Sequence, residues 1–249
     1  MFQITKIKFL IKNWRVIYYL VFPKKVPIVI NSFNRLSVLQ LLIQRLSEMG
    51  YMNIYILDNS STYPPLLDFY KDTQYKVLYL NQNYGHMSLW LSDFYKKFHK
   101  NIFVYTDPDV LPVDDCPDEF IKYFIKILIK YPHYKKVGFG LCIGDLPDDY
   151  PLRQNVLDWE KKFWQTSLEK DVYDAWIDTT FALYSPNYDE YLKGDNFYHA
   201  IRTGGVYTAR HLPWYKTLLS ETEEDIYYKN SASSSASWNE IGKLNNIEH

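Results

Sequence analysis

The sequence predicts an α/β domain in which a mostly parallel sheet is flanked by helices, followed by a more irregular second half. Three observations point there. Up to Asp109, short apolar runs alternate with segments of helical period. Those runs end in polar clusters, namely Asn31–Arg35, Asp58–Thr62, Asn81–His86 and Thr106–Asp109, and an open parallel sheet binds ligands beyond the carboxyl ends of its strands. Hydrophobic residues make up 47% of the chain and charged residues 23%, which excludes general disorder.

The elements follow in order. Residues 1–25 mix Phe2, Ile4, Ile7, Phe9, Leu10, Ile11 and Trp14 with Lys6, Lys8, Lys12 and Arg15. The apolar run Val16–Phe22 is far short of the roughly 20 residues that cross a bilayer, and the segment lacks the long apolar stretch and cleavage site of a secretory signal. Two readings stand: a helix and strand at the edge of the fold, or a basic, aromatic helix lying on an anionic membrane surface. Pro27–Asn31 reads as a buried strand, and Ser37–Met49 as a helix that Gly50 closes. Asn53–Leu57 is a second strand. Pro64-Pro65 breaks the chain before a short helix, and Lys76–Leu80 is a third strand. A polar loop over Asn81–Gly85 leads to a helix over His86–Lys100, then a fourth strand over Asn101–Tyr105.

Beyond Asp109 the expected elements are a strongly amphipathic helix over Glu119–Lys130, a strand over Val137–Ile143 and a Trp-rich helix over Asn155–Leu168. A strand over Thr179–Tyr184 and an irregular, Gly-containing segment over Arg202–Trp214 come next. From Asn230 the Ser/Ala/Asn composition reads as a tail. One catalytic-sized domain is expected over 26–228, with halves 26–112 and 113–228, between the 1–25 segment and a 229–249 tail.

Charge and cysteine usage narrow the function. Lys and Arg number 28 against 29 Asp and Glu, so no basic field exists to hold a nucleic-acid backbone. Cys116 and Cys142 lie in no metal-ligand or paired spacing, which argues against a disulfide scaffold or structural zinc and fits a reducing compartment. The 24 tyrosines offer faces for sugars and bases, or reflect codon bias alone.

The sharpest chemical signal is Asp107-Pro108-Asp109 directly after an apolar strand. Two carboxylates one residue apart can grip Mg²⁺ or Mn²⁺ and leave positions open for phosphate oxygens; Pro108 stiffens the turn. The alternative is an acidic loop that caps the next element of the chain.

In this order, PIVINSFNR, IYILDNSST, NQNYGHMSLW and FVYTDPDVLP resemble the GT-A glycosyltransferases, in particular the family 2-like nucleotide-sugar enzymes. The resemblance covers residues 26–112 and thins beyond. It implies a GT-A, Rossmann-like fold in which Asn31, Ser32 and Asn34 line the base and ribose, and Arg35 reaches the base or the diphosphate. Asp58 would accept a hydrogen bond from the base imide, and Asn83 would belong to the donor-side Asn-x-Gly segment, with His86 a lesser candidate beside it. Asp107 would lie near the ribose or the metal, and Asp109 would bind the metal, Mn²⁺ or Mg²⁺. In the second half, Asp178 is the first choice for the base that deprotonates the acceptor, although the family's usual Glu-Asp pair is absent there. Glu223-Glu224-Asp225 reads instead as an acidic helix start. Arg202 and Arg210 could neutralise a departing diphosphate, with Gly204-Gly205 permitting close backbone approach. His211 could complete the metal shell or pack beside Pro213 and Trp214.

The function so implied is a metal-dependent, inverting glycosyltransferase of surface polysaccharide or glycoconjugate synthesis. It would move a sugar from a nucleoside-diphosphate donor, UDP by default, to a glycan or lipid-linked hydroxyl, in the cytoplasm or at the inner membrane face. Two rivals remain. A haloacid-dehalogenase-like phosphatase also carries an Asp-x-Asp after a strand, and a non-catalytic sugar-nucleotide or glycan-binding module needs no base at all.

Overall fold

The computed structural model describes residues 11, 13–188, 194–216 and 221–231. Strand β1 (Ile28–Ser32) lies between β2 (Ile54–Asp58) and β4 (Phe103–Thr106), with β3 (Lys76–Tyr79) outside β2, all parallel. Every residue of β1 is buried, as a strand covered on both faces requires. Ile28 and Ile30 join one core, and Val29 joins the other. The chain runs outward from β1 to β3 and then returns to place β4 on the opposite side of β1. The crevice between the ends of β1 and β4 is therefore the topological switch point of the sheet.

One face is covered by α2 (Ser37–Glu48), α3 (Pro64–Asp72) and α5 (Phe120–Lys130). Helix α2 buries Val38, Leu39, Leu42, Ile43 and Leu46 along one stripe. It ends as its sequence dictates: Gly50 takes φ +82° and the Tyr51 N–H donates to the Leu46 carbonyl at 2.8 Å, a glycine-terminated helix end. Pro64 and Pro65 open α3, where their missing N–H groups cost nothing. The opposite face carries a mostly aromatic core around the short α4 (Tyr95–Phe98).

In the second half, β9 (Ala182–Tyr184) runs antiparallel between β4 and β6 (Lys136–Leu141). Strand β10 (Ile201–His211) is parallel to β6 and antiparallel to β8 (Val172–Asp174), which pairs with β7 (Ser167–Glu169). The far end of β10 also pairs with β5 (Val110–Pro112). The result is the expected α/β architecture, with a ten-stranded sheet that is parallel through β3-β2-β1-β4 and mixed beyond it. The remaining helices are α1 (Arg15–Val21), α6 (Arg153–Glu160) and α7 (Glu223–Ser231). No helix of the described residues is long and apolar enough to cross a membrane.

Three elements correct the sequence reading. The helix expected over His86–Lys100 is confined to Tyr95–Phe98, after a 3-10 turn at Gly85–Met87. Trp90 decides this: its ring lies 4.7 Å from Tyr105, 5.2 Å from Tyr184 and 5.3 Å from Phe197, and seating it in that aromatic core overrides the helical period. The helix expected over Asn155–Leu168 covers Arg153–Glu160, then tightens to a 3-10 turn at Lys161–Trp164 and becomes β7. The segment expected to be irregular, Arg202–Trp214, is largely β10, an 11-residue strand. Its register shifts between Thr203 and Thr208, and Gly205 takes φ +59° there. A side chain at Gly204 or Gly205 would press within 3.0 Å of Tyr173 or 3.1 Å of Asp171. These glycines serve a bulge and its packing. Within the expected 229–249 tail, Asn230 and Ser231 close α7, and 232–249 lie outside the described residues. The 1–10 part of the amino-terminal segment lies outside them as well.

Candidate active site

The switch point is bridged by one ion pair. Arg35, just past β1, donates from Nη1 to Asp109 Oδ2 at 2.6 Å, with both side chains nearly buried. The pairing of β5 with β10 sets His211 opposite Val110, and the Leu212 N–H donates to the Asp109 carbonyl at 2.9 Å. His211 Nε2 thereby comes to 3.8 Å from Asp109 Oδ1. Burial holds the imidazole below its ordinary value; Asp109 opposes that shift and Arg35 adds to it. The ring is thus kept neutral, the form that ligates metals. Its other face meets the buried Trp214 edge-on at 4.8 Å, so Trp214 is a core residue.

Asp107 points a different way. Its Oδ2 accepts a hydrogen bond from Thr179 Oγ1 at 2.9 Å. Its carboxyl is held well above the usual range, first by desolvation and then by the charge of Asp109; Asp178 adds to this, while Thr179 and Asn31 oppose it. Asp178 itself is exposed, one residue before that Thr179 hydroxyl. Lys136 anchors the turn from below. Its ammonium is completely buried and donates to the carbonyls of Ile177 at 2.6 Å, Phe197 at 2.6 Å and Asp178 at 3.4 Å. The rings of Tyr184, Tyr188 and Phe197 surround it at 4.3–5.7 Å. Desolvation drives its value well below the ordinary one. Sequence reasoning missed Lys136 and Thr179, because one lies in a run of lysines and the other in an unremarkable Thr pair.

Three polar atoms around this carboxylate are buried with no hydrogen-bond partner: Arg35 Nε, Asp109 Oδ1 and His211 Nδ1. Buried polar groups are otherwise almost always bonded; Asp109 Oδ1 is such an unbonded atom, and His211 Nε2 is the imidazole nitrogen facing it. A carboxylate oxygen with free lone pairs facing a neutral imidazole has the chemistry for Mn²⁺ or Mg²⁺. No group of three or more His, Cys, Asp or Glu side chains among the described residues is gathered to hold an ion, so Asp107, Asp109 and His211 are not a preassembled set. Mg²⁺ sites commonly take one or two carboxylates and complete the shell with water and phosphate.

The neighbouring strand ends are engaged by the chain itself. Helix α7 begins with a capping box in which Thr222 and Asp225 bond reciprocally, the Asp225 N–H donating to Thr222 Oγ1 at 3.2 Å and the Thr222 N–H to Asp225 Oδ2 at 3.1 Å. The Thr-x-x-Asp spacing could have revealed it. The expected acidic helix start at Glu223–Asp225 is present. Glu224 reaches across to accept from the N–H groups of Leu36 at 2.8 Å and Ser37 at 3.0 Å and from Ser37 Oγ at 2.6 Å, which caps α2. Tyr227 OH bonds to Thr62 at 3.0 Å, the Tyr228 ring lies 5.0 Å from the Arg35 guanidinium, and Ser231 Oγ accepts from Asn34 Nδ2 at 2.9 Å. Glu224, Tyr227, Tyr228 and Ser231 share one helical face, and that face covers the ends of β1 and β2.

The expected base-lining residues accordingly sit in an internal network. Asn34, in a left-handed conformation at φ +50°, accepts from the N–H groups of Thr62 at 2.6 Å and Tyr63 at 2.9 Å. Ser32 Oγ accepts from Tyr70 OH at 2.9 Å. Asp58 accepts from the same hydroxyl at 3.1 Å and from the Ser61 N–H at 3.3 Å, and burial raises its value. Asn31 remains beside Asp107 and accepts from Ser88 Oγ at 2.8 Å. Asn83 makes a local turn, accepting from the Gly85 N–H at 2.8 Å. The unforeseen Asn59 ties that loop down through Tyr84 N at 2.8 Å and the Gly85 carbonyl at 2.9 Å. His86 is exposed.

Two expected diphosphate partners lie elsewhere. Arg202 opens β10, whose other end carries His211, and pairs with buried Glu160 at 2.6 Å. Arg210 bonds Asp145 at 2.7 Å and Asp114 at 3.1 Å, on the face of β10 opposite to His211 because successive strand residues alternate. Arg35 is the cation that the fold brings to Asp109.

No family model and no curated protein matches this chain. Among solved structures, part of the fold is similar to that of S. aureus TarS 1–349, at a TM-score of 0.32 and 14% identity. The overlap covers 51% of this chain and 39% of that one.

Proposed function

We propose that the protein is a glycosyltransferase acting on a nucleoside-diphosphate sugar. One observation carries the reading: Asp107, Asp109, Asp178, Arg35 and His211 converge at the carboxyl end of the sheet's switch point, with unbonded polar atoms on Arg35, Asp109 and His211. In the transfer, the acceptor oxygen attacks the anomeric carbon and gives its proton to Asp178. The bond from that carbon to the diphosphate oxygen breaks, and its electron pair leaves with the diphosphate, inverting the centre. Arg35 supplies positive charge beside the leaving group. Asp109 and His211 would hold Mn²⁺ or Mg²⁺, which would neutralise further diphosphate charge. The base and ribose would meet Asn31 and the ends of β1 and β2, exchanging for contacts that α7 makes.

A phosphatase reading is less well supported, since it needs Asp107 as a nucleophile and the Oδ2 of that carboxyl already accepts from Thr179 Oγ1 at 2.9 Å. The amino-terminal helix adds a location. Trp14, Ile17, Tyr18, Val21 and Phe22 follow one side of α1 and are each about half exposed or more, and in sequence Lys6, Lys8, Lys12 and Arg15 accompany them. This reads as a contact with an anionic membrane surface at the cytoplasmic face. Deleting residues 1–22 should release the protein from anionic liposomes, and a full-length chain that ignores them would refute the contact.

The test of the activity is a thermal-shift screen of UDP, GDP, CDP and ADP with and without Mn²⁺. One diphosphate should raise the melting temperature in a Mn²⁺-dependent way, and Asp109→Ala should erase the dependence. A chain indifferent to all four nucleotides would overturn the reading.

A further inference from the structure

Resting on Asp178 as the base, we infer that the acceptor presents a sugar ring that stacks on Trp176, and that this indole is the acceptor-binding platform. The segment from Ala175 to Asp178 is extended. The Ala175 N–H donates to the Ala200 carbonyl at 3.2 Å and the Ile177 N–H to the Tyr198 carbonyl at 2.9 Å. Ala175 and Ile177 are buried, whereas Trp176 and Asp178 are exposed. This alternation puts the indole and the carboxylate on the same face, about 6–7 Å apart along the chain.

The indole is a prepared surface. One face of Trp176 stacks on Tyr198 at 5.7 Å and 26°, and the residue still leaves 45% of its surface exposed. Its carbonyl accepts from Arg202 Nε at 2.6 Å, and that guanidinium is locked by Glu160. Asp178 is held in turn through its carbonyl by Lys136. Platform and carboxylate are thus each fixed through a backbone carbonyl by a buried basic side chain, Arg202 and Lys136, as a site that must hold its geometry requires. An aromatic face with a polar group at its edge suits a pyranose, whose C–H face lies on the ring while its hydroxyls project from the rim. A rim hydroxyl would then lie at Asp178, next to Asp107.

The test is saturation-transfer NMR on the full chain with UDP and Mg²⁺. The probes are methyl and octyl β-glycosides of glucose, galactose and N-acetylglucosamine. At least one methyl glycoside should bind, and Trp176→Ala should weaken it by about tenfold or more. Trp176→Phe should stay within about threefold of the parent, and melting temperatures should be unchanged. Methyl and octyl forms that bind alike assign the site to the ring. Binding of octyl forms alone assigns it to a lipid tail and overturns the proposal. So does undiminished binding by Trp176→Ala, or no glycoside binding by the parent. UDP affinity is read separately: glycoside binding that depends on Trp176 without UDP binding would remove the nucleotide-sugar reading and leave the platform standing.

Discussion

At the ends of β1 and β2, Ser32, Asn34 and Asp58 are already bonded to Tyr70, Thr62, Tyr63 and Ser61, and α7 lies over them. At the ends of β4 and β10, by contrast, Asp109 and His211 each keep a buried polar atom with no partner, as does Arg35, which reaches across from the end of β1. Two carboxyls show the difference. Around Asp225, hydrogen bonds from Lys216 and Thr222 outweigh burial and hold the group below its ordinary value. Around Asp107, burial and the charges of Asp109 and Asp178 outweigh the hydrogen bonds and hold it above. The first arrangement stabilises the fold. The second disfavours the ionised carboxylate, as burial beside like charges does.

The contrast can be broken most forcefully at the base. Asp178→Asn should lower transfer by about 10²–10⁴-fold and leave UDP binding intact; a steady-state assay retaining parental turnover would remove Asp178 from the chemistry. At α7, Glu224→Ala uncaps α2 and should cost about 1–2 kcal/mol, measured by urea unfolding. A neutral result would mean that α7 does not secure the β1 and β2 ends. Asp107→Asn should do the reverse, raising the melting temperature while transfer falls, because the amide replaces a buried carboxyl whose ionisation is disfavoured. If that variant melts lower than the parent, the pocket is not the strained region.

The smallest effect is one of pH. Because the folded value of Asp225 is depressed, its contribution is present above the unfolded value of about 3.9 and is lost as pH falls through the lower folded value. The protection of α7 amides, each rate divided into its intrinsic unprotected rate at that pH, should therefore fall below about pH 4. Protection that falls instead on raising the pH would contradict the assignment.

The site was partly legible in the chain. Asp107 and Asp109 could be seen as an acidic pair after a strand, and Arg35 as a cation for the base or the diphosphate, because all three adjoin apolar runs that the sequence marks clearly. That Asp109 alone takes Arg35 while Asp107 turns to Thr179 could not be seen, since Thr179 sits 72 positions away. Arg202 and Arg210 looked equivalent to Arg35. Their partners Glu160, Asp145 and Asp114 come from separate segments, and no local pattern announces them.

The sequence by itself determined the parallel half of the sheet, the helices that cover it and the polar character of its strand ends. Burial on both faces and glycine or proline boundaries are local properties written residue by residue. Only the folded chain sets the identity of β10, the buried Lys136 beneath Asp178 and the covering of β1 and β2 by α7. Each of these depends on hydrogen bonds or charges supplied by remote segments, and a side chain's partner is fixed only when the chain has closed around it.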